Sequence, residues 1–175
     1  MQKENPKVFI PEQFSNPNNP MVHKYYTALE ILEQVAGPID GFCSGIGTGG
    51  TLSGIGETLK ALNPHIEIWA VEPENAAILS GGAIGTHLQM GIGDGLIPDN
   101  LNQDIYDDLY LVTDEEAIQT AKDLARLEGL MCGISSGTNV AAALKLAKKL
   151  GPGKTVVTIL PDTAERYFST PLFQE

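Results

Sequence analysis

The chain reads as an α/β fold, a mostly parallel twisted sheet with helices on both faces in three αβα layers. Three observations predict it. Strand-like and helix-like segments alternate along the chain. The run "IEIWAVE" (66–72) is apolar on both faces, as a strand inside a parallel sheet must be. Three loops dominated by Gly and Ser lie beside strand ends, helix starts or a long loop, at the edge where such sheets bind ligands. All 175 residues are expected to form a single α/β domain, long enough to bury a core without a metal or disulfide.

Taken in order, residues 1–20 are rich in Pro and Asn, with "KVFI" (7–10) a candidate strand. Residues 21–36 carry Val22, Tyr25, Tyr26, Leu29, Leu32 and Ala36 at helical spacing. "PIDGFCS" (38–44) is a short buried strand, and residues 51–62 form a helix closed by the Asn-Pro at 63–64. After the strand at 66–72, residues 81–101 hold six glycines and no period, which marks a long loop. "LYLVT" (109–113) is a third strand. The helix that follows is capped by Thr113, acidic in its first turn and closed by Gly129. "MCGISSG" (131–137) reads as a small-residue turn with Ser136 a cap candidate. Residues 140–150 are a helix, and "KTVVTIL" (154–160) is a central strand.

A net charge of −11 argues against nucleic acid or an anionic membrane surface as partner, since either would need a basic face. No apolar run approaches the ~18 residues of a membrane span, and the polar start "MQKENPKVF" resembles no signal peptide. A cytoplasmic location is expected. Cys43 and Cys132 are read as buried reduced thiols. His23, His65 and His87 are not spaced as ligands and are read as structural.

The first small-residue loop, "GIGTGGTLSG" (45–54), points to a phosphate. Gly45, Gly47, Gly49 and Gly50 let the backbone approach an anion, and the following helix aims unpaired N–H groups at it. Thr48 and Thr51 add hydroxyl donors. No Lys or Arg lies in the loop, so this is a neutral cradle and not a Walker loop. Spacing alone leaves an alternative open. Gly45-x-Gly47-x-x-Gly50 spells the dinucleotide fingerprint, and Glu72 ends the next strand where a ribose-binding acid would stand. That pattern describes an NAD- or FAD-binding Rossmann-type oxidoreductase domain. The extra Gly49, the threonines, Pro73 directly after Glu72, and the unused Ser135–Ser136 pair weigh against it.

The segments "GIGTGGTLSG", "AVEP", "GIGDGLIP", "EGLMCGISSG" and "LPDTAERYFST", with "PEQFSNPNNPMVHKYYTALEI" before them, resemble the O-acetylserine sulfhydrylase (cysteine synthase) family. This family comprises fold-type II enzymes dependent on pyridoxal 5′-phosphate (PLP). The resemblance implies the family's large PLP-binding domain. It implies that Gly47, Thr48, Gly49, Gly50 and Thr51 hold the PLP phosphate and that Ser135 faces the pyridine nitrogen. Pro161 and Asp162 would line the far side of the ring. Gln13 would contact the substrate carboxylate, and Gly91 would open a loop that closes over bound substrate. The activity implied is β-replacement of the acetate of O-acetylserine by sulfide, giving cysteine. The partners implied are a second copy in a homodimer and the C-terminal tail of serine acetyltransferase, which a non-catalytic half-enzyme would also bind. Met90, Tyr26 and Ala164 depart from the family pattern at positions that bear on substrate preference.

Family members carry roughly another chain-half before this stretch, with the Schiff-base lysine and a Thr-Ser-Gly-Asn loop. Neither motif occurs here. The nine lysines fall in predicted helices, near the N-terminus or at a strand start, none in a setting that lowers an amine pKa. The chain is therefore expected to be the C-terminal, cofactor-cradling half, without the lysine-bearing N-terminal half. Residues 1–175 alone should form no cofactor imine. An imine absorbance band that survives gel filtration and is trapped by borohydride would refute this.

Overall fold

The computed structural model describes residues 3–174. Its centre is a four-stranded, all-parallel sheet: β1 (Gly41–Gly45), β2 (Glu67–Pro73), β3 (Asp108–Val112) and β4 (Val156–Thr158), in the order β3-β2-β1-β4. Register is set by pairs such as Cys43 with Trp69, Cys43 with Thr158, and Val71 with Tyr110. Successive side chains of a strand point to opposite faces. Phe42, Ile68 and Ala70 accordingly enter one core, while Cys43, Trp69 and Val71 enter the other.

Each face is covered by helices, giving the three layers expected. On one side lie α1 (Asn18–Val22), a π turn (His23–Thr27), α2 (Ala28–Gln34) and α3 (Gly50–Leu62), burying Ala28, Leu52, Ile55 and Leu59 against Phe42 and Ile68. On the other lie α4 (Asp114–Asp123), a second π turn (Leu124–Glu128) and α5 (Ile134–Leu150), burying Ala117, Ala121, Ala142 and Leu146 against Val71 and Val112. Thr113 caps α4 by accepting from the Glu116 N–H at 3.1 Å. Gly129 ends the π turn in the left-handed region at φ 70°. Both cysteines are buried free thiols, and burial pushes Cys43 up to about 12.

Four expectations are corrected. Residues 7–10 form no strand, and Phe9 stands exposed. The first helical segment begins at Asn18, not at residue 21. The 154–160 run yields only the three residues of β4, at the edge of the sheet, because β1 is its one neighbour. The largest difference is α5, which starts at Ile134. Ser136 lies inside the helix and its N-cap is Gly133, without a side-chain cap. Ser135, Ser136, Gly137, Thr138 and Asn139 are poor helix formers, and tertiary partners hold them helical. The Thr138 hydroxyl donates to Gln89 Oε1 at 2.8 Å. Asn139 donates to the Ile159 carbonyl at 2.8 Å and accepts from the Gly45 N–H at 2.7 Å.

One contact sets the geometry on the site side. α1 and α3 approach so closely that a methyl at Gly50 would be driven into the Asn19 amide, and one at Gly54 into the Pro20 carbonyl. These glycines, one turn apart, are a helix-packing groove. Gly54→Ala is expected to cost roughly 1–3 kcal/mol through overpacking against backbone, a fall of several degrees in Tm. Thermal denaturation checks this; an unchanged Tm would show that the groove has slack.

Candidate functional site

Loops at the carboxyl edge of the sheet converge as parallel topology requires. They enclose a cavity of about 190 Å³, lined by Gly47, Thr48, Gly49, Thr51, Gly91 and Pro161 among others. The turn after β1 is held from three sides. The Gly45 N–H donates to Asn139, the Ile46 N–H to the Val71 carbonyl at 3.1 Å, and the Gly93 N–H to the Ile46 carbonyl at 2.9 Å. The 91–95 loop is thereby tied down over the turn. At Gly47 there is room only for hydrogen, because the Gly91 carbonyl occupies the space a methyl would take.

The lining is rich in unspent donors. Among the described residues, the backbone N–H groups of Gly47, Thr48, Gly49 and Thr51 have no protein acceptor. They cluster at the N-terminus of the 13-residue α3, where the helix dipole adds partial positive charge. No Lys or Arg lines the cavity. Thr48 Oγ1 accepts from Asn19 Nδ2 at 2.8 Å and distantly from the Gly50 N–H at 3.5 Å. Thr51 Oγ1 lies 3.3 Å from His23 Nε2, whose other ring nitrogen is 3.1 Å from Thr27 Oγ1. Burial lowers the His23 pKa from its ordinary 6.5, so the ring is neutral at pH 7.

Other sequence-predicted residues stand beside this lining. Gly50 forms the helix-packing face. Gln13 is exposed, with its backbone carbonyl accepting from Asn19 and Asn100, each at 2.8 Å. Ser135 is buried in the first turn of α5, beside Tyr167, which in turn binds Asp162. Asp162 Oδ2 accepts from the Tyr167 hydroxyl, whereas Oδ1 is buried without a partner among the described residues. Burial first, then the Asp162 hydrogen bond and charge, pushes the Tyr167 phenol up to about 12.

Glu72, the ribose-binding acid of the dinucleotide alternative, is buried. It accepts from the Leu79 N–H at 2.8 Å, the Ser80 N–H at 3.2 Å and the Ser80 hydroxyl at 3.1 Å. Its carboxylate closes a turn and has no exposed oxygen to offer a ribose. A larger, mostly apolar cavity of about 310 Å³ near Ala121, Met131, Cys132 and Phe173 contains none of the predicted site residues.

His23, read as structural, braces Thr51, whereas sequence reasoning missed the other residues that hold the loops: Asn19, Gln89, Thr138 and Asn139. Gln89 is fully buried, with Nε2 donating to the Val112 carbonyl at 2.9 Å and to Asp114 at 3.0 Å. No spacing marks such residues, because the partners that tie them to the loops are distant in sequence. The "NPNNP" run flags Asn19 only as a turn asparagine.

The family model described as pyridoxal-phosphate dependent enzyme matches residues 1–162. A cysteine synthase of Staphylococcus aureus is 51% identical over 172 residues, 98% of this chain and 56% of that protein. The structure of O-acetyl serine sulfhydrylase isoform 3 from Entamoeba histolytica superposes with a TM-score of 0.94 at 41% identity, over 99% of this chain and 52% of that one. A hydrogen sulfide-producing enzyme of Fusobacterium nucleatum gives 0.93 at 42%, over 99% and 53%. The chain thus spans about half the length of the relatives it matches. It belongs to the pyridoxal-phosphate dependent enzyme family.

The half-buried His23 imidazole makes stability depend on pH. Between 6.5 and the lowered folded pKa, the unfolded chain binds the extra proton, so stability falls as pH drops below about 6.5. Glu57, held down first by its hydrogen bond from Lys24, acts only further into the acid range. Thermal melts at pH 7.5 and 5.5 should show a larger loss in the wild type than in His23→Gln. Equal losses would remove His23 from the account.

Proposed function

We propose that this chain is the cofactor-cradling part of a cysteine synthase-type enzyme, which replaces the acetate of O-acetylserine by sulfide. The observation that carries the reading is the neutral ring of unpaired N–H donors around a cavity at the start of α3. A helix N-terminus without basic side chains suits a single terminal phosphate. Gly47, Thr48, Gly49 and Thr51 would hold that phosphate by backbone N–H and hydroxyl donation, with Gly50 admitting the helix that braces the loop.

When bound, PLP supplies an electron-withdrawing ring that stabilises negative charge at the substrate α-carbon. Ser135 is the proposed hydroxyl partner of the ring nitrogen. Pro161 would flank the ring. Asp162, bound to Tyr167 beside Ser135, would brace that side from behind the lining. The Gln13 side chain, exposed and without a partner among the described residues, is free to bind a substrate carboxylate. The loop from Gly91 would shield the reacting atoms from water. No lysine lines the cavity. Lys24, Lys60, Lys145, Lys149 and Lys154 are engaged with carboxylates instead, so the Schiff-base amine and the α-proton base would come from a lysine-bearing half. The proposed assembly is a homodimer whose cleft also accepts a serine acetyltransferase tail.

The test is titration with PLP, pyridoxal and NAD, following emission of Trp69, the single tryptophan. PLP should quench saturably, pyridoxal at least tenfold more weakly, and NAD not at all. Adding the lysine-bearing half of a relative should then yield cysteine from O-acetylserine and sulfide. Quenching by NAD but not by PLP would overturn the reading.

A further inference from the structure

We propose that Asn19 is a positioning residue that fixes the direction of the Thr48 hydroxyl, turning its hydrogen into the anion cavity. This inference rests on the phosphate reading above and adds a residue that contacts neither cofactor nor substrate.

A backbone carbonyl can only accept. That of Gln13 receives Asn19 Nδ2 and Asn100 Nδ2, each at 2.8 Å, which uses both of its lone pairs. The Asn19 amide therefore cannot be turned over, because its oxygen would then face the Gln13 oxygen. With the NH₂ group so placed, Nδ2 also reaches Thr48 Oγ1 at 2.8 Å, while Oδ1 packs against the bare face of Gly50.

A threonine hydroxyl has two acceptor sites and one hydrogen. Asn19 takes one acceptor site, and the Gly50 N–H at 3.5 Å faces the other. What Thr48 has left to offer is its hydrogen. Among the described residues no protein acceptor takes it, and Thr48 lines the cavity. The hydroxyl is thus set as a donor before any ligand arrives, which spares the ordering cost of choosing between donor and acceptor roles. The same amide ties the Gln13 backbone to the phosphate loop, so the proposed substrate contact and the phosphate contact share one hinge.

The sequence supplies the geometry. Asn19 can come this close to α3 because Gly50 and Gly54 have no side chains. An aspartate at 19 would accept from Thr48 and reverse the hydroxyl; a leucine would leave the Gln13 carbonyl short of a donor.

The test is a double-mutant cycle on the full chain with Asn19→Ala and Thr48→Val. The readout is the ratio of pyridoxal to PLP dissociation constants, which isolates the phosphate contribution. The wild type should prefer PLP strongly. Asn19→Ala should lower the ratio about tenfold, and should lower it no further in the Thr48→Val background. A purely structural role would weaken PLP and pyridoxal together and leave the ratio unchanged, which overturns the proposal. An undiminished effect of Asn19→Ala in the Thr48→Val background overturns it too. If Asn19→Ala does not fold, Asn19→Ser replaces it in the same cycle, since it shortens the side chain away from Thr48 but keeps a polar group. A wild type without preference for PLP over pyridoxal refutes the phosphate reading itself, and is distinguishable because no variant is needed to see it.

Discussion

The close approach of α1 to α3 is the constraint on which the site depends. Gly50 and Gly54 remove the side chains that would hold the helices apart, and Asn19, Pro20 and His23 fill the space. Asn19 and His23, one helical turn apart, then reach Thr48, just before α3, and Thr51, in its first turn. The contact therefore does more than bury surface. It places two polar side chains, one from α1 and one from the π turn that continues it, behind the two hydroxyls that face the cavity.

The opposite side of the same loop is held by α5. Asn139 spans the carboxyl ends of β1 and β4 by bonding the Gly45 N–H and the Ile159 carbonyl. Gln89 and Thr138 connect the long loop, the end of β3 and α5 in one buried network. Buried amides of this kind are stabilising only when every group is satisfied, and here they are joined to partners far away in sequence. A turn rich in glycine would otherwise have wide conformational freedom. Fixing it from both flanks holds its unpaired N–H groups in place beside the cavity.

The glycines of the 45–54 stretch divide their work in a way that motif spacing conceals. Gly45 and Gly47 admit Asn139 and the Gly91 carbonyl, and Gly50 and Gly54 admit the neighbouring helix. A dinucleotide fingerprint and this loop share spacing because both need bare backbone at the same places in a strand–turn–helix unit. What separates them is the fate of Glu72, whose carboxylate closes the turn at Leu79 and Ser80. Family membership, over about half the length of its relatives, agrees with a phosphate cradle.

Much of this was legible from residues alone. Alternating apolar runs gave the parallel sheet, both-face burial gave the three layers, and the Thr113 and Gly129 signals gave the limits of one helix, because these depend on local spacing and local backbone geometry. The glycine-rich turn between β1 and α3 was legible for the same reason, as neighbouring residues build it. The extent of α5, the edge position of β4 and the roles of Asn19, His23, Gln89 and Asn139 were decided by tertiary structure only. Their hydrogen-bond partners lie on other elements, and a polar residue's propensity cannot reveal whether a distant carbonyl or hydroxyl will satisfy it.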